Sequence, residues 1–196
     1  MASCARCPDL PRRTVALGLA SILTLSACGH ALAAVERPPV GLTVWTGGQK
    51  PAFTLDDLNG RALALGAQAG DVQAAQAVLV HFFATWCEPC LVEFPALRRL
   101  VERSDPADLR VLAISVGEID IRVRNFADRM KINFPVLLDR DRSVAKSWGV
   151  YALPTTYILG HDLMPRYFIE RDHAWDGLDV PALLTALSAR QSRFER

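Results

Sequence analysis

Two cysteines, Cys87 and Cys90, lie two residues apart in the stretch HFFATWCEPCLVEFPAL, residues 81–97. A Cys-x-x-Cys pair can bind a metal, anchor a haem, form a structural staple or exchange electrons as a dithiol and a disulfide. Haem attachment requires a histidine directly after the second cysteine, and Leu91 stands there instead. A staple is a poor explanation, because so short a loop removes little entropy from the unfolded chain.

The place of the pair along the chain favours redox chemistry. The apolar run AVLVHFFA, residues 77–84, predicts a strand buried on both faces, and a helical pattern follows the cysteines. Backbone N–H groups and the dipole at the start of a helix favour negative charge, which lowers the pKa of a thiol. We therefore expect Cys87 to be the nucleophile and Cys90, one turn further on, to resolve the mixed disulfide. Pro89 is tolerated there because the first helical turn has no N–H partners to lose.

The first 34 residues differ from the rest of the chain. Three arginines precede an apolar run, residues 14–28, which is shorter than the ~20 residues of a membrane-spanning helix. A basic start, an apolar middle and small residues at the end are typical of an export signal. LSAC, residues 25–28, resembles a bacterial lipobox, in which Cys28 becomes the lipidated first residue. Cleavage at ALA, residues 31–33, and an uncleaved membrane anchor are the alternatives.

All three alternatives place the folded domain outside the cytoplasm. A second pair, Cys4 and Cys7, lies before the apolar run and would leave with the signal. We divide the chain into a signal or lipoprotein leader at 1–27, a tether at 28–50 and a folded domain at 51–196. The formal net charge of +1 gives no indication of a nucleic-acid partner.

Strand and helix patterns alternate through the folded domain, which favours an α/β sheet with helices on both faces. Alternating apolar residues around an Asn-Gly step predict a hairpin over residues 51–65. In the helix predicted at 120–131 we expect Ile121, Phe126 and Met130 to face the core. The other elements predicted are strands at 110–116 and 134–139, helices at 143–148 and 179–193, and a hairpin of strands at 155–160 and 165–171.

WCEPC after a buried strand resembles the active-site motif of the thioredoxin superfamily. From about Pro51 to Leu187 the chain is similar to the membrane-anchored TlpA/ResA-like branch, with PAFTLDDLNG, VLAISV, FPVLLD and WGVYALPTTYIL in the family's order. The resemblance implies a thioredoxin-like fold, in which a central mixed sheet carries helices on both faces, an N-terminal hairpin and one inserted helix. The inserted helix would lie between VLAISV and FPVLLD.

The resemblance also assigns roles to individual residues. LPTT, residues 153–156, matches the family's cis-proline loop, so Pro154 would face the cysteines and the backbone beside it would bind an extended peptide by strand addition. Trp86 would shield one side of the site. The residues that we expect to contact a substrate are Trp86, Glu88, Pro89, Leu153 and Thr155.

Two acid–base residues follow from the same comparison. Glu93 matches an acidic residue that ResA-type proteins hold near the thiols, where it would take up a proton from Cys90 or raise both thiol pKa values. The alternative is a surface glutamate on an amphipathic helix. His81 stands where thioredoxin has aspartate and this branch often has asparagine. A histidine there is either a proton acceptor behind Cys90 or a neutral, hydrogen-bonded core residue.

The function that the resemblance implies is an exported, lipid-tethered thiol–disulfide oxidoreductase that acts as a monomer without a metal or other cofactor. It would take electrons from a membrane thiol donor and reduce disulfides of exported partners, such as an apocytochrome c or a copper-site protein. A general oxidant that introduces disulfides is the opposite alternative, because thiol–disulfide exchange is reversible.

Two further alternatives use the same cysteines differently. A copper-delivery module would bind Cu(I) through two thiolates, although related copper chaperones space their cysteines one residue further apart. A thiol peroxidase would need a threonine three residues before its cysteine, whereas Thr85 lies two residues before Cys87. A zinc site needs four ligands, and the chain after the leader has no second cysteine pair to supply them.

Overall fold

The computed structural model of the chain describes residues 38–66, 72 and 74–194. The predicted leader and the lipidation site at Cys28 lie outside these residues, so both stay predictions. Across the described ranges, no helix combines the length and the apolar character that a membrane crossing requires.

A six-stranded mixed sheet is the centre of the described domain. The described residues form eight strands, six in this sheet and two in a separate hairpin. They are β1 Thr43–Val44, β2 Phe53–Asp56, β3 Ala62–Leu65, β4 Ala77–Phe83, β5 Leu109–Val116, β6 Val136–Asp139, β7 Thr155–Gly160 and β8 Pro165–Ile169. The large sheet has the order β1-β8-β7-β4-β5-β6, with β4, β5 and β6 parallel and the remaining neighbours antiparallel. β2 and β3 form a separate antiparallel hairpin, as predicted from the Asn-Gly step.

Helices cover both faces of the sheet, which confirms the predicted α/β architecture. They are α1 Glu88–Arg103, α2 Asp120–Met130, α3 Ser143–Ser147 and α4 Val180–Phe194. Apolar residues of α1, α2 and α4 share one core, and α3 packs with the β2–β3 hairpin in the other. Successive side chains of a strand point to opposite faces, so neighbours such as Phe82 and Phe83 belong to different cores. The helix expected between β5 and β6 is α2.

The inward face of α2 differs from the prediction at one position. Its buried residues are Val123, Phe126 and Ala127, whereas Ile121 is 58% exposed. Residues three apart lie on the same side of a helix, so Val123 shares the face of Phe126. Ile121, five residues before Phe126, is turned away from that face.

The packed domain begins before Pro51. β1 pairs with β8, Leu42 is buried in the core, and the ring of Trp45 meets Tyr157 edge-on at 5.4 Å between centroids. These residues lie within the stretch that we assigned to the tether, and they belong to the folded domain. The sequence did not predict this strand, because two residues are too few to show the alternation of buried and exposed side chains.

Leu42→Ala tests this earlier start. Leu42 is 5% exposed, so we expect the substitution to lower the free energy of unfolding by about 2–5 kcal/mol in urea titrations. Val40→Ala is the matched control, because Val40 is 93% exposed in the same segment, and its effect should stay within about 0.5 kcal/mol. If Leu42→Ala lowers the free energy of unfolding as little as Val40→Ala does, this segment is not part of the cooperative fold.

Candidate active site

The paired cysteines form a disulfide where α1 begins. The two sulfur atoms are bonded at 2.00 Å. Cys87 is the N-cap residue of α1, and its Sγ accepts a hydrogen bond from the backbone N–H of Cys90 at 3.3 Å. Cys87 is 5% exposed and Cys90 is fully buried. An incoming thiol or disulfide can therefore reach the Cys87 sulfur more easily than that of Cys90, as the predicted roles require.

The turn that leads into the cysteines is held by Glu118, a residue that the sequence analysis missed. Its carboxylate accepts the backbone N–H of Thr85 at 2.8 Å, the Thr85 hydroxyl at 2.5 Å and the Ser115 hydroxyl at 3.0 Å. Glu118 follows β5 and is 8% exposed. Because Trp86 and Cys87 come directly after Thr85, these bonds fix the start of α1 against the end of β5.

The cis-proline loop lies on the same side of the domain as the cysteine turn. The peptide bond between Leu153 and Pro154 is cis, as expected for LPTT. Leu153 and Trp86 line one open groove of about 390 Å³, together with Tyr151. Trp86 is 66% exposed and Tyr151 is 92% exposed. The two loops therefore form a continuous surface beside the accessible cysteine.

The remaining predicted contact residues divide into two groups. Glu88 and Pro89 are exposed in the first turn of α1, where a partner can touch them. Thr155 is completely buried, and its hydroxyl donates to the Ala152 carbonyl at 2.8 Å. The Thr155 side chain therefore supports the cis-proline loop and has no exposed surface to offer a substrate.

Glu93 is a buried acid, one helical turn after Cys90. It is 1% exposed, which excludes the alternative of a surface glutamate. Its Oε1 accepts the indole N–H of Trp175 at 2.6 Å and the backbone N–H of His173 at 3.0 Å. Burial raises the pKa of Glu93 to about 8, although these two hydrogen bonds act in the opposite direction. The carboxyl group is thus mainly protonated at neutral pH.

His81 faces Glu93 from the central strand β4. It is fully buried, and burial lowers its pKa to about 3, so the ring is neutral. Its Nδ1 lies 2.9 Å from the Thr156 hydroxyl, and its Nε2 lies 3.8 Å from Oε2 of Glu93. Within the described part of the chain, neither Nε2 of His81 nor Oε2 of Glu93 has a hydrogen-bond partner.

Three features together define the thioredoxin-like thiol–disulfide oxidoreductases: a mixed α/β sheet, a disulfide where the central strand meets the following helix, and a cis-proline loop on the same side of the domain. The chain belongs to the AhpC/TSA family, whose profile matches residues 46–166.

Individual relatives agree with this classification. The chain is 37% identical over 113 residues to the thiol-disulfide oxidoreductase ResA of Bacillus subtilis, a match that covers 58% of this chain and 60% of that protein. It is 34% identical over 153 residues to ResA of Geobacillus thermodenitrificans, covering 76% of this chain and 80% of that one. The predicted relationship to ResA-like proteins is therefore confirmed.

A solved structure from Chlorobium tepidum, described as a DsbE thiol:disulfide interchange protein, has the same fold. Its TM-score to this chain is 0.62 at 20% identity, covering 74% of this chain and 99% of that one. The similarity at this identity supports the predicted thioredoxin-like fold alone.

The buried acid and histidine predict how stability depends on pH. Glu93 keeps its proton up to a pKa of about 8 against an ordinary 4.5, so its contribution to stability falls as pH rises between these values. His81 has a pKa of about 3 against an ordinary 6.5, so its contribution rises with pH in that range. The two effects cancel from about pH 4.5 to 6.5, and Glu93 alone acts from there to about pH 8.

We expect the free energy of unfolding of the oxidised protein to fall by up to ~1.4 kcal/mol per pH unit between pH 6.5 and 8. Glu93→Gln should remove this fall, because glutamine does not titrate. Glu88→Gln is the matched control on the same helix, and it should keep the fall because Glu88 is exposed. Urea titrations at several pH values give the comparison, and a Glu93→Gln protein with unchanged pH dependence would refute the buried protonated acid.

Proposed function

We propose that the protein is exported and reduces disulfide bonds of partner proteins through Cys87 and Cys90. The observation that carries this proposal is the position of the disulfide, with Cys87 at the N-cap of α1 and Cys90 buried behind it. In the reduced protein the Cys87 thiolate attacks a partner disulfide, and the first partner thiolate leaves. Cys90 loses its proton and attacks Sγ of Cys87, which releases the second partner thiolate and closes the disulfide. Two electrons pass to the partner.

Glu93 is the group that we propose takes the proton of Cys90. It lies one turn along α1 on the buried side of the helix, so it can act without contact with solvent. The oxidised protein, which is the product of this reaction, has a pKa of about 8 at Glu93 and therefore holds that proton. When an electron donor opens the disulfide again, the same proton returns to Cys90.

The charged residues close to the cysteines in sequence favour reduction of partners over oxidation. A strongly oxidising pair needs a stabilised thiolate, and positive neighbours provide that stabilisation. The stretch from residue 82 to residue 97 contains no Lys, Arg or His, and its two acids are the exposed Glu88 and the buried, mainly protonated Glu93. The negative charge of Glu88 and the burial of Cys90 both disfavour a negative charge on sulfur. The disulfide state is thereby favoured, which makes the dithiol a reductant.

The groove lined by Trp86, Tyr151 and Leu153 is the proposed binding surface for a partner. An extended peptide there would bring its own cysteine towards Cys87 and could pair with backbone beside Pro154. Candidate partners are an apocytochrome c or a copper-site protein, with a membrane thiol as electron donor. Export, and anchoring by lipid at Cys28, are proposed from the basic and apolar leader of the sequence.

The two alternative functions make different demands on the same site. A peroxidase needs a threonine hydroxyl at its reactive cysteine, whereas the Thr85 hydroxyl donates to Glu118 at 2.5 Å. A copper-delivery module needs both thiolates for the metal but no transfer of electrons through Cys90. Substitution of the two cysteines separates these functions from disulfide reduction.

Cys90→Ser is expected to stop the reaction at the mixed disulfide. Mixed with a protein that has an accessible disulfide, such as insulin, the reduced variant should become covalently linked through Cys87 and should not turn over. Mass spectrometry identifies the adduct, and thiol release measures turnover. Cys87→Ser is the matched control and should form no adduct. A Cys90→Ser protein that still turns over peroxide, or a wild-type protein that reduces no disulfide, would contradict the proposal.

A further inference from the structure

Two polar atoms face each other in the core, and neither has a hydrogen-bond partner among the described residues. They are Nε2 of His81 on β4 and Oε2 of Glu93 on α1, 3.8 Å apart. Both side chains are at most 1% exposed. A buried polar atom that makes no hydrogen bond is unfavourable. We therefore expect a hydrogen bond between the two atoms, formed by a proton that lies between them after a small shift of either side chain.

The surrounding hydrogen bonds determine where that proton must lie. Oε1 of Glu93 already accepts two N–H groups, from Trp175 and from His173. A proton on the carboxyl group therefore belongs on Oε2. It can be donated to Nε2 of His81 only if that nitrogen carries no hydrogen, and the ring proton is then on Nδ1, where it donates to the Thr156 hydroxyl oxygen.

We propose that His81 is a positioning residue for the proton of Glu93 and that its tautomer changes when Glu93 ionises. With Glu93 protonated, His81 is the Nδ1–H tautomer and Nε2 accepts from Oε2. At high pH the oxidised protein loses one of the two protons of the pair to solvent. The proton that remains lies on Nε2 and is donated to the Glu93 carboxylate, and the Thr156 hydroxyl turns to donate to Nδ1. The inference rests on the proposed exchange of that proton with Cys90.

None of the other residues that act on Glu93 can hold the proton of its Oε2 atom in the way that His81 can. Besides His81, the titratable residues that act on Glu93 within the described part of the chain are Asp172 and His173, which follow β8, and Cys90 does not titrate in the disulfide. Asp172 carries the wrong sign to stabilise a carboxylate, and His173 contributes its backbone N–H to Oε1, not to Oε2.

The ring of His81 has no charged contact of its own besides Glu93 among the described residues. Phe83 and Phe94 lie against it, with ring centroids 6.2 and 5.6 Å away, and Thr156 takes Nδ1. A neutral ring in this setting can offer Glu93 either a lone pair or an N–H group, according to its tautomer. Its position against Oε2 thus suits both protonation states of the acid.

The test is NMR of the full oxidised chain with ¹⁵N-labelled histidine and ¹³C-labelled glutamate, from pH 6 to pH 9.5. We expect His81 to be the Nδ1–H tautomer at pH 6 and the Nε2–H tautomer at the highest pH. The midpoint of this change should coincide with the ionisation of Glu93, whose pKa is about 8.

Glu93→Gln is the diagnostic variant, because its amide N–H takes the position of the carboxyl proton while Oε1 still accepts from Trp175. It should lock His81 as the Nδ1–H tautomer at every pH. Glu88→Gln, which alters an exposed acid on the same helix, should leave the change at His81 intact.

Three results would overturn the inference: the Nε2–H tautomer at pH 6, a tautomer that stays constant while Glu93 titrates, or a change that persists in Glu93→Gln. The first two results are measured on the wild-type protein, so the inference can be tested even if the variant fails to fold. The readout is independent of turnover. An inactive protein with a coupled tautomer change would refute the proposed function alone, and an active protein without that change would refute only the role of His81.

Discussion

The junction between β4 and α1 is the constraint on which the site depends. All seven residues of β4 are buried, and the strand is paired on both sides, with β5 and with β7. The end of β4 therefore has one position in the sheet, and only four residues separate it from the first residue of α1. Glu118 ties the intervening turn to the end of β5. Cys87 is thus held at the N-cap, where a thiolate is stabilised, by the packing of the sheet and not by the cysteines themselves.

Burial next to the disulfide explains the protonation states of the site. A charge in this region would lose its hydration, so the acid is protonated and the histidine is neutral. Trp175, His173 and Thr156 supply the hydrogen bonds that make two polar side chains tolerable there. The site can therefore store a proton beside Cys90 without storing a net charge.

The sequence predicted those parts of the molecule that have a local pattern. The buried strand β4, the β2–β3 hairpin and the start of α1 follow from runs and turns of a few residues, and the cis bond before Pro154 followed from a resemblance. β1 escaped detection because two residues show no period. Ile121 was misplaced because its spacing from Phe126 was taken as helical when Val123 fits the face better.

Contacts between distant parts of the chain could not be predicted. Glu93 meets Trp175 and His173 at separations of 82 and 80 residues, and Glu118 meets Thr85 at 33. Nothing in the local sequence marks such pairs, because they arise only when the sheet brings α1 against the segment after β8. Burial of Glu93, and with it the raised pKa, depends on these contacts and so appears only in the folded structure.

The reduction potential of the Cys87–Cys90 pair tests the central claim most directly. It can be measured by equilibrating the protein with a glutathione or dithiothreitol series and following the fraction of disulfide. The lack of Lys, Arg and His in the stretch from residue 82 to residue 97 predicts a value near or below about −250 mV, which is that of a reductant poised like thioredoxin. A value near about −120 mV would be that of a disulfide-forming oxidant and would contradict the account.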